Sequence, residues 1–268
     1  MPEGHIIHRL AAENFRTFGD RPVRVSSPQG RFADGAALLD GRRLDEAEAH
    51  GKHLFLGFGA DWLHIHLGLY GGFTFGAGPA PGPVGLIRLR MESDEAYADL
   101  RGPNTCELLT PAEKAAVHRR LGPDPLRAGT DPAAAWQRIS RSSTTVAALL
   151  MDQKVLAGVG NVYRAEVLFR LGISPHRAGR DLTRPEWDAI WADLVALMHE
   201  GAGIGRIDTV RPEHTPEAMG RPPRVDDHGG EVYVYRRTDQ PCLVCGTPVR
   251  TEEHAARNLF WCPACQQR

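Results

Sequence analysis

Residues 241–266 read Pro-Cys242-Leu-Val-Cys245-Gly-Thr-Pro-Val-Arg-Thr-Glu-Glu-His254-Ala-Ala-Arg257-Asn-Leu-Phe-Trp-Cys262-Pro-Ala-Cys265-Gln. Two Cys-x-x-Cys pairs with sixteen residues between them have the spacing of a four-thiolate zinc site. Four thiolates fill a tetrahedral shell and leave no position for water or substrate, so the expected cofactor is one structural zinc ion. A module of fewer than forty residues has little core of its own, and metal binding then supplies its folding energy. Two disulfides are the alternative. They need an oxidising compartment, and no basic stretch followed by an apolar run marks a secretory signal at the N-terminus. Cys106, the fifth cysteine, reads as a partly buried thiol rather than a nucleophile. A zinc module alone does not specify DNA, because many unrelated proteins carry one.

Upstream of this module the chain divides by pattern. Ile6, Ile7, Leu10, Ala11 and Phe15 recur at helical spacing, which predicts a helix from Glu3 to about Phe18. From Val23 to Leu100 short alternating runs separated by glycine-rich turns predict strands of an antiparallel sandwich, among them Lys52–Phe58, Trp62–Leu67, Gly72–Phe75 and Leu86–Met91. After Leu109 the pattern turns helical. Thr110-Pro111 opens one helix and Leu121-Gly-Pro-Asp-Pro125 ends it. Further helices are expected over Ser143–Gln153, after the tight turn Gly158-Val-Gly-Asn161, and after the capping box Thr183/Glu186, where Trp187, Ile190, Trp191, Leu194 and Leu197 line a buried face. Gly201–Gly230 is rich in Gly, Pro and charge and reads as a long loop, functional or disordered. The fold class is α+β and multidomain, with boundaries at 1–121, 126–230 and 231–268.

The chain has 268 residues and a formal net charge of −1, which by itself advertises no polyanion. Between Gln137 and Arg180, however, seven Lys or Arg face only Asp152 and Glu166. That segment reads either as one anion-binding face or as an ordinary solvated helix surface. Nothing approaches the roughly 18 apolar residues of a membrane span, so a cytoplasmic protein is expected.

The chain begins Met1-Pro2-Glu3-Gly4. Removal of the initiator methionine before a small residue would expose the secondary amine of Pro2. Proline also simply suits a helix start. Yet an α-amine has a pKa near ~8 against ~10.4 for lysine, and the positive end of a following helix lowers it further. Such an amine is a ready nucleophile.

Together these pieces resemble the formamidopyrimidine-DNA glycosylase/endonuclease VIII family over essentially the whole chain. The resemblance rests on Pro2-Glu3-Gly4, Gly51-Lys52, His66-Leu-Gly-Leu-Tyr70, Leu121-Gly-Pro-Asp124, Leu150-Met-Asp-Gln-Lys154, Gly158-Val-Gly-Asn161 and the zinc finger with His254-Ala-Ala-Arg257 between its knuckles. It implies an N-terminal helix plus β-sandwich, a helix–two-turn–helix domain and a C-terminal β-hairpin zinc finger, with damaged double-stranded DNA in the cleft between the halves. A monomer acting on nucleoid DNA is the family expectation.

The resemblance also assigns roles. Pro2 attacks C1′ of a nucleotide flipped out of the stack, which displaces the base and leaves an iminium. β-Elimination and then δ-elimination follow. Glu3 matches the acid/base carboxylate. Lys52 matches the lysine of β-elimination and phosphate contact, and Arg257 the zinc-finger arginine of δ-elimination and phosphate grip. Asn161 matches the phosphate-binding asparagine, helped by backbone amides at its helix start. Arg120 matches a further DNA-contacting arginine, and His66 belongs to the same DNA-binding set. Leu69 matches the wedge that fills the vacated stack, and Tyr70 stands beside it for stacking.

The chain departs from the family in three places. Gly68 stands where endonuclease VIII carries a polar wedge residue, which weakens contact with the orphaned base. Ile6 occupies a position that is often glutamate. Arg101-Gly-Pro-Asn-Thr-Cys-Glu107 lacks the arginine–phenylalanine pair that purine-specific members insert opposite the lesion, which tilts the expectation towards oxidised pyrimidines. Two other readings stay open, a catalytically silent damage-recognition paralogue and a lyase acting mainly on abasic sites. The Gly201–Gly230 loop is expected to cover the flipped base.

Overall fold

The computed structural model describes residues 2–225 and 230–267. Its contacts divide into two compact units, Met1–Arg120 and Leu121–Arg268.

The first unit opens with α1 (Gly4–Phe18), whose Ile7, Leu10, Ala11 and Phe18 are buried at helical spacing. Then follow β1 (Pro22–Ser26), α2 (Ala33–Leu39), β2 (Arg42–Arg43), β3 (Glu46–His50), β4 (His53–Phe58), β5 (Asp61–His66), β6 (Gly72–Ala77), β7 (Ile87–Glu92), β8 (Ala96–Arg101), β9 (Thr105–Leu109) and α3 (Pro111–Arg120). The strands make two antiparallel sheets, ordered β2-β1-β7-β8-β6 and β3-β4-β5-β9. Alternation decides which side chains meet between them. Leu54, Leu56, Leu63 and Ile65 of the second sheet share one core with Val23, Val25, Leu89, Met91, Ala98 and Leu100 of the first. Each such burial contributes roughly 1.5–3 kcal/mol, so the sandwich stands on its own core. α1 lies on β3 and β4 and adds to it. The four expected strands are all present. α2 was not expected, because Ala-Asp-Gly-Ala-Ala-Leu-Leu buries only Ala36 and Leu39 and offers no long periodic face.

The second unit contains α4 (Ala133–Ile139), α5 (Val146–Met151), α6 (Asn161–Arg170), α7 (Arg184–Ile204), α8 (Pro216–Met219) and the hairpin β10 (Arg250–His254) with β11 (Arg257–Trp261). Thr145 caps α5. The capping box of α7 is formed as expected, and Trp187, Ile190, Leu194 and Leu197 are buried beneath it. The helix runs past Gly201, however, and ends at Gly205, whose φ of +78° makes the left-handed cap. The loop therefore starts four residues later than the composition suggested. Gly201 and Gly203 sit inside the helix, and only the third glycine adopts the conformation that stops one. The stretch beyond it carries a 3-10 turn at Pro212–His214 and α8, while residues 226–229 lie outside the described residues. Val232, Tyr233, Val234, Val249, Leu259, Phe260 and Cys262 share one core with Leu150, Val162, Leu168, Trp187 and Leu194. The zinc module thus borrows its core from the helices. Among the described residues no helix is long and apolar enough to cross a membrane.

Candidate functional site

In the first unit Glu3 stands at the N-cap position of α1, extended at φ −107° and ψ 178°, and its carbonyl accepts the Ile6 N–H at 3.0 Å. Its side chain is 1% exposed, and Pro2 before it is partly exposed. A carboxylate is thus carried, out of bulk water, at the positive end of a fifteen-residue helix. His5 is buried beside it, and burial pushes its pKa down to about 3.

Lys52 sits with Gly51 in the two-residue turn from β3 to β4. Register places His53 opposite His66, so the turn and the segment after β5 lie at the same end of the sheet. The structure brings three of the expected DNA-contacting residues to that end. Burial first, then His64 and the Lys52 cation, lower the His66 pKa, and Arg120 acts electrostatically on His53 and His64. Leu69 is 44% and Tyr70 90% exposed, so both apolar side chains stand clear of the fold. Gly68 has φ +68°, and a Cβ there would lie 2.3 Å from Asn104 Oδ1. The left-handed backbone there favours glycine, and a larger side chain would have to displace the Asn104 amide. The same Asn104 belongs to the Arg101–Glu107 stretch that turns directly from β8 into β9, with Gly102 at φ +58° and no inserted pair.

Sequence reasoning singled out His66 at this end but not His50, His53, His64 or His118. His53 Nδ1 lies 2.8 Å from His64 Nε2, and His64 Nδ1 lies 2.9 Å from Glu107 Oε1. His50 Nδ1 lies 2.8 Å from His118 Nδ1. Burial pushes the His53 pKa down to about 3 and lowers those of His64 and His66. The spacing of two between His64 and His66 was visible, but it pointed only to a shared strand face. A histidine with a folded pKa below its unfolded value of about 6.5 stabilises the fold above pH 6.5 and loses that contribution as pH falls towards 3. For His5 and His53 the loss between pH 7 and pH 5 is about 2 kcal/mol each. Urea denaturation is therefore expected to give a marked fall in stability from pH 7 to pH 5, and His53→Gln a visibly shallower one. Equal slopes for the two proteins would contradict a buried neutral His53.

In the second unit Asn161 is the first residue of α6, follows the N-cap Gly160, and is 8% exposed. Its amide Nδ2 donates to the Asn258 carbonyl at 3.0 Å, and its Oδ1 accepts from Arg164, which also donates to that carbonyl at 3.1 Å. Asn161 is thus joined to the residue next to Arg257. Arg257 itself is exposed at the start of β11, where Ala255 and Ala256, both at positive φ (51° and 58°), make the two-residue hairpin turn. Non-glycine residues in that conformation cost about 1 kcal/mol or more each, a strain found mostly where a side chain must be presented in one place. The tip is tied down further by His254 Nε2, 2.7 Å from the Thr145 hydroxyl that caps α5.

The seven basic residues of this segment divide: Arg138, Arg141, Lys154 and Arg180 are exposed, while the other three are engaged within the fold. Arg164 is fully buried, Arg170 pairs with Asp193, Arg177 pairs with Glu186, and Arg138 donates to the Lys154 carbonyl. Of the two acidic residues counted against the segment, Glu166 is fully buried. Its oxygens accept from the Thr209 hydroxyl (2.5 Å) and from the backbone N–H of Tyr233 (2.7 Å), Val234 (2.9 Å) and Tyr235 (2.9 Å). One carboxylate on α6 therefore clamps both ends of the segment between Thr209 and Glu231. The available signal was an acid amid Val162, Tyr163, Ala165, Val167, Leu168 and Phe169.

The ligand sulfurs of Cys242, Cys245, Cys262 and Cys265 all lie within 4.8 Å of one another, with 3.9 Å between Cys242 and Cys265 and 3.4 Å between Cys245 and Cys262. Tetrahedral thiolates at ~2.3 Å from zinc are about 3.8 Å apart, whereas a disulfide needs ~2.05 Å. The set fits one structural zinc and excludes the disulfide alternative. Cys106 is half-buried and burial pushes its thiol up to about 12, as its reading as an inert thiol requires.

Comparison with known proteins covers the whole chain. The formamidopyrimidine-DNA glycosylase N-terminal domain matches residues 1–106, the formamidopyrimidine-DNA glycosylase H2TH domain residues 121–211, and the zinc finger found in FPG and IleRS residues 239–268. The chain is 53% identical over 271 residues to Endonuclease 8 1 of Mycobacterium tuberculosis, covering 99% of this chain and 100% of that one. It is 32% identical over 278 residues to the formamidopyrimidine-DNA glycosylase of Methylococcus capsulatus, covering 100% and 99%. The Lactococcus lactis Fpg, solved with DNA containing an abasic site, shares the fold with a TM-score of 0.79 at 21% identity over 99% of this chain and 100% of that one.

Proposed function

The chain belongs to the formamidopyrimidine-DNA glycosylase/endonuclease VIII family of base-excision-repair DNA glycosylase/AP lyases, and we propose that it removes oxidised bases, pyrimidines before purines, through a Schiff base on Pro2. The observation that carries the reading is a buried Glu3 carboxylate held beside Pro2 at the N-terminus of α1. With Met1 removed, the Pro2 nitrogen attacks C1′ as Glu3 protonates the ring oxygen. The glycosidic bond breaks and the base leaves; the protonated ring oxygen then departs from C1′ and the nitrogen lone pair closes the C1′=N iminium on the ring-opened sugar. The resulting iminium acidifies the C2′ proton, which is lost in the β-elimination that the family resemblance assigns to Lys52. The C3′–O bond breaks in β-elimination, and loss of the C5′–O bond in δ-elimination follows with Arg257 on the phosphate. Leu69 fills the vacated stack with Tyr70 beside it, while Asn161, His66 and Arg120 hold the backbone. The Gly201–Gly230 stretch, whose first residues close α7 and whose residues 226–229 lie outside the described residues, is assigned to covering the extruded base. The zinc site serves the fold of the finger that presents Arg257. The protein acts as a monomer on nucleoid DNA.

The preference for pyrimidines rests on the direct β8–β9 turn at Gly102, which carries no arginine–phenylalanine pair, and on the 53% identity to a protein named Endonuclease 8 1. Borohydride trapping of untagged protein on duplexes with an abasic site, an oxidised pyrimidine or 8-oxoguanine tests it. The expected result is a covalent complex through Pro2 on the first two and a weaker one on the third. A complex on the abasic duplex alone would make the protein mainly a lyase. Binding without any complex would make it a silent damage-recognition protein.

A further inference from the structure

The turn that carries Lys52 is held from both sides. Its flanking residues, His50 and His53, are a register pair that closes the β3–β4 hairpin. Pairing across β3, β4, β5 and β9 sets out two rows on one face of the sheet, His50, His53, His66 and Thr105 in one, Glu48, Phe55, His64 and Glu107 in the next. From the second row Glu107 reaches His64 at 2.9 Å, and His64 reaches His53 at 2.8 Å. From α3, His118 reaches His50 at 2.8 Å, and its other nitrogen lies 3.6 Å from Glu48, within ion-pair range. One hydrogen-bonded carboxylate–imidazole–imidazole chain, and a second imidazole pair whose His118 stands at longer range from a Glu48 carboxylate that Lys114 also holds, therefore converge on the two residues that flank the Lys52 turn.

Hydrogen-bonding capacity fixes the protons of the first chain. A carboxylate accepts, so His64 Nδ1 carries the proton it faces, and its Nε2 is left as acceptor for the His53 Nδ1–H. Ring stacking holds the same geometry, with His64 on Phe55 at 4.9 Å and His53 against His66 at 5.0 Å between centroids. His118 is likewise 4.8 Å from the Phe55 ring. A lysine side chain carries about 2 kcal/mol of rotamer entropy on a flexible stem, so its reach is set by how firmly its backbone turn is fixed.

We propose that the Glu107–His64–His53 chain and its Glu48–His118–His50 counterpart are a positioning device for Lys52, serving strand cleavage rather than formation of the Schiff base. This rests on the reading of Lys52 as the residue of β-elimination. The test uses untagged full-length protein on a duplex with a preformed abasic site and reads trapped complex and strand cleavage separately. His64→Phe keeps a ring on Phe55 and removes both nitrogens. Glu107→Ala removes the acceptor at a half-exposed position, and Glu107→Gln retains one. His64→Phe and Glu107→Ala are expected to slow strand cleavage about tenfold or more, as small displacements of a catalytic group do, with trapping unchanged and Glu107→Gln close to wild type. In a Lys52→Ala background the same substitutions are expected to add nothing. An equal loss in that background would reduce the chains to ordinary scaffold, and no loss in the wild-type background would also overturn the proposal. Failure of the wild-type protein to trap would instead overturn the Pro2 reading, and this one with it.

Discussion

Blocking the Pro2 nitrogen is expected to abolish the covalent complex and leave DNA binding in place. A tag left ahead of Pro2 turns its secondary amine into an amide, whose lone pair is delocalised into the carbonyl and no longer attacks carbon. Pro2→Gly keeps a primary amine, which still forms a reducible imine, so it is expected to weaken trapping rather than abolish it. Loss of a nucleophile with nothing to replace it costs on the order of 10³-fold or more. The surfaces expected to grip DNA are untouched by either change. Leu69 and Tyr70 stand exposed after β5, and Arg257 stands exposed at the hairpin tip of the second unit. Glu3 stays buried at the head of α1, held there by the fold of the helix itself. Electrophoretic mobility shift should therefore show a bound abasic duplex for both proteins, while borohydride reduction of the tagged protein gives no crosslink. Trapping that survives a retained tag would remove Pro2 from the chemistry and move attention to Lys52 as the amine.

The sequence displayed what depends on local periodicity and fixed spacing. The helix after Pro2, the strands of the β4–β5 hairpin, the capping box of α7 and the four cysteines each follow from side chains a few residues apart. What it hid depends on pairing across distance. Glu166 reads as a surface acid until Thr209 and residues 233–235 arrive over it, 43 to 69 positions away. The count of seven basic residues between Gln137 and Arg180 took no account of partners from outside the segment. Asp193 and Glu186, which neutralise two of them, lie outside that window. The histidines illustrate the same limit within one unit. His53 and His64 are eleven residues apart, and only the β4–β5 register puts their nitrogens in contact. Gly68 shows the converse. Its identity pointed only to DNA contact, and the sequence did not show that its backbone sits at φ +68°, a conformation that favours glycine, against the Asn104 side chain.

Cys262→Ser is expected to release the zinc and to loosen more than the finger. A serine hydroxyl stays protonated at neutral pH and does not replace a thiolate in a site built on four of them. Structural zinc contributes about 10–16 kcal/mol of apparent binding free energy in isolated fingers, so losing one ligand removes a large share of what orders the module. Here the module is not isolated. Cys262 is fully buried, its N–H donates to Gln266 Oε1 at 2.9 Å, and Gln266 Nε2 donates to the Ile173 carbonyl at 3.0 Å just beyond α6. Val249, Leu259 and Phe260 belong to the same core as Trp187 and Leu168. The strained Ala255–Ala256 turn that presents Arg257 persists only while its flanking strands are held. The variant should therefore contain less than one zinc per chain by native mass spectrometry, melt earlier than the wild type, and bind the abasic duplex more weakly. Its δ-elimination should fall further than its β-elimination, because Arg257 is lost while Pro2 and Lys52 lie in the other unit. A full complement of zinc in the variant would exclude Cys262 as a ligand, and an unchanged ratio of the two elimination products would separate the finger from the second cleavage.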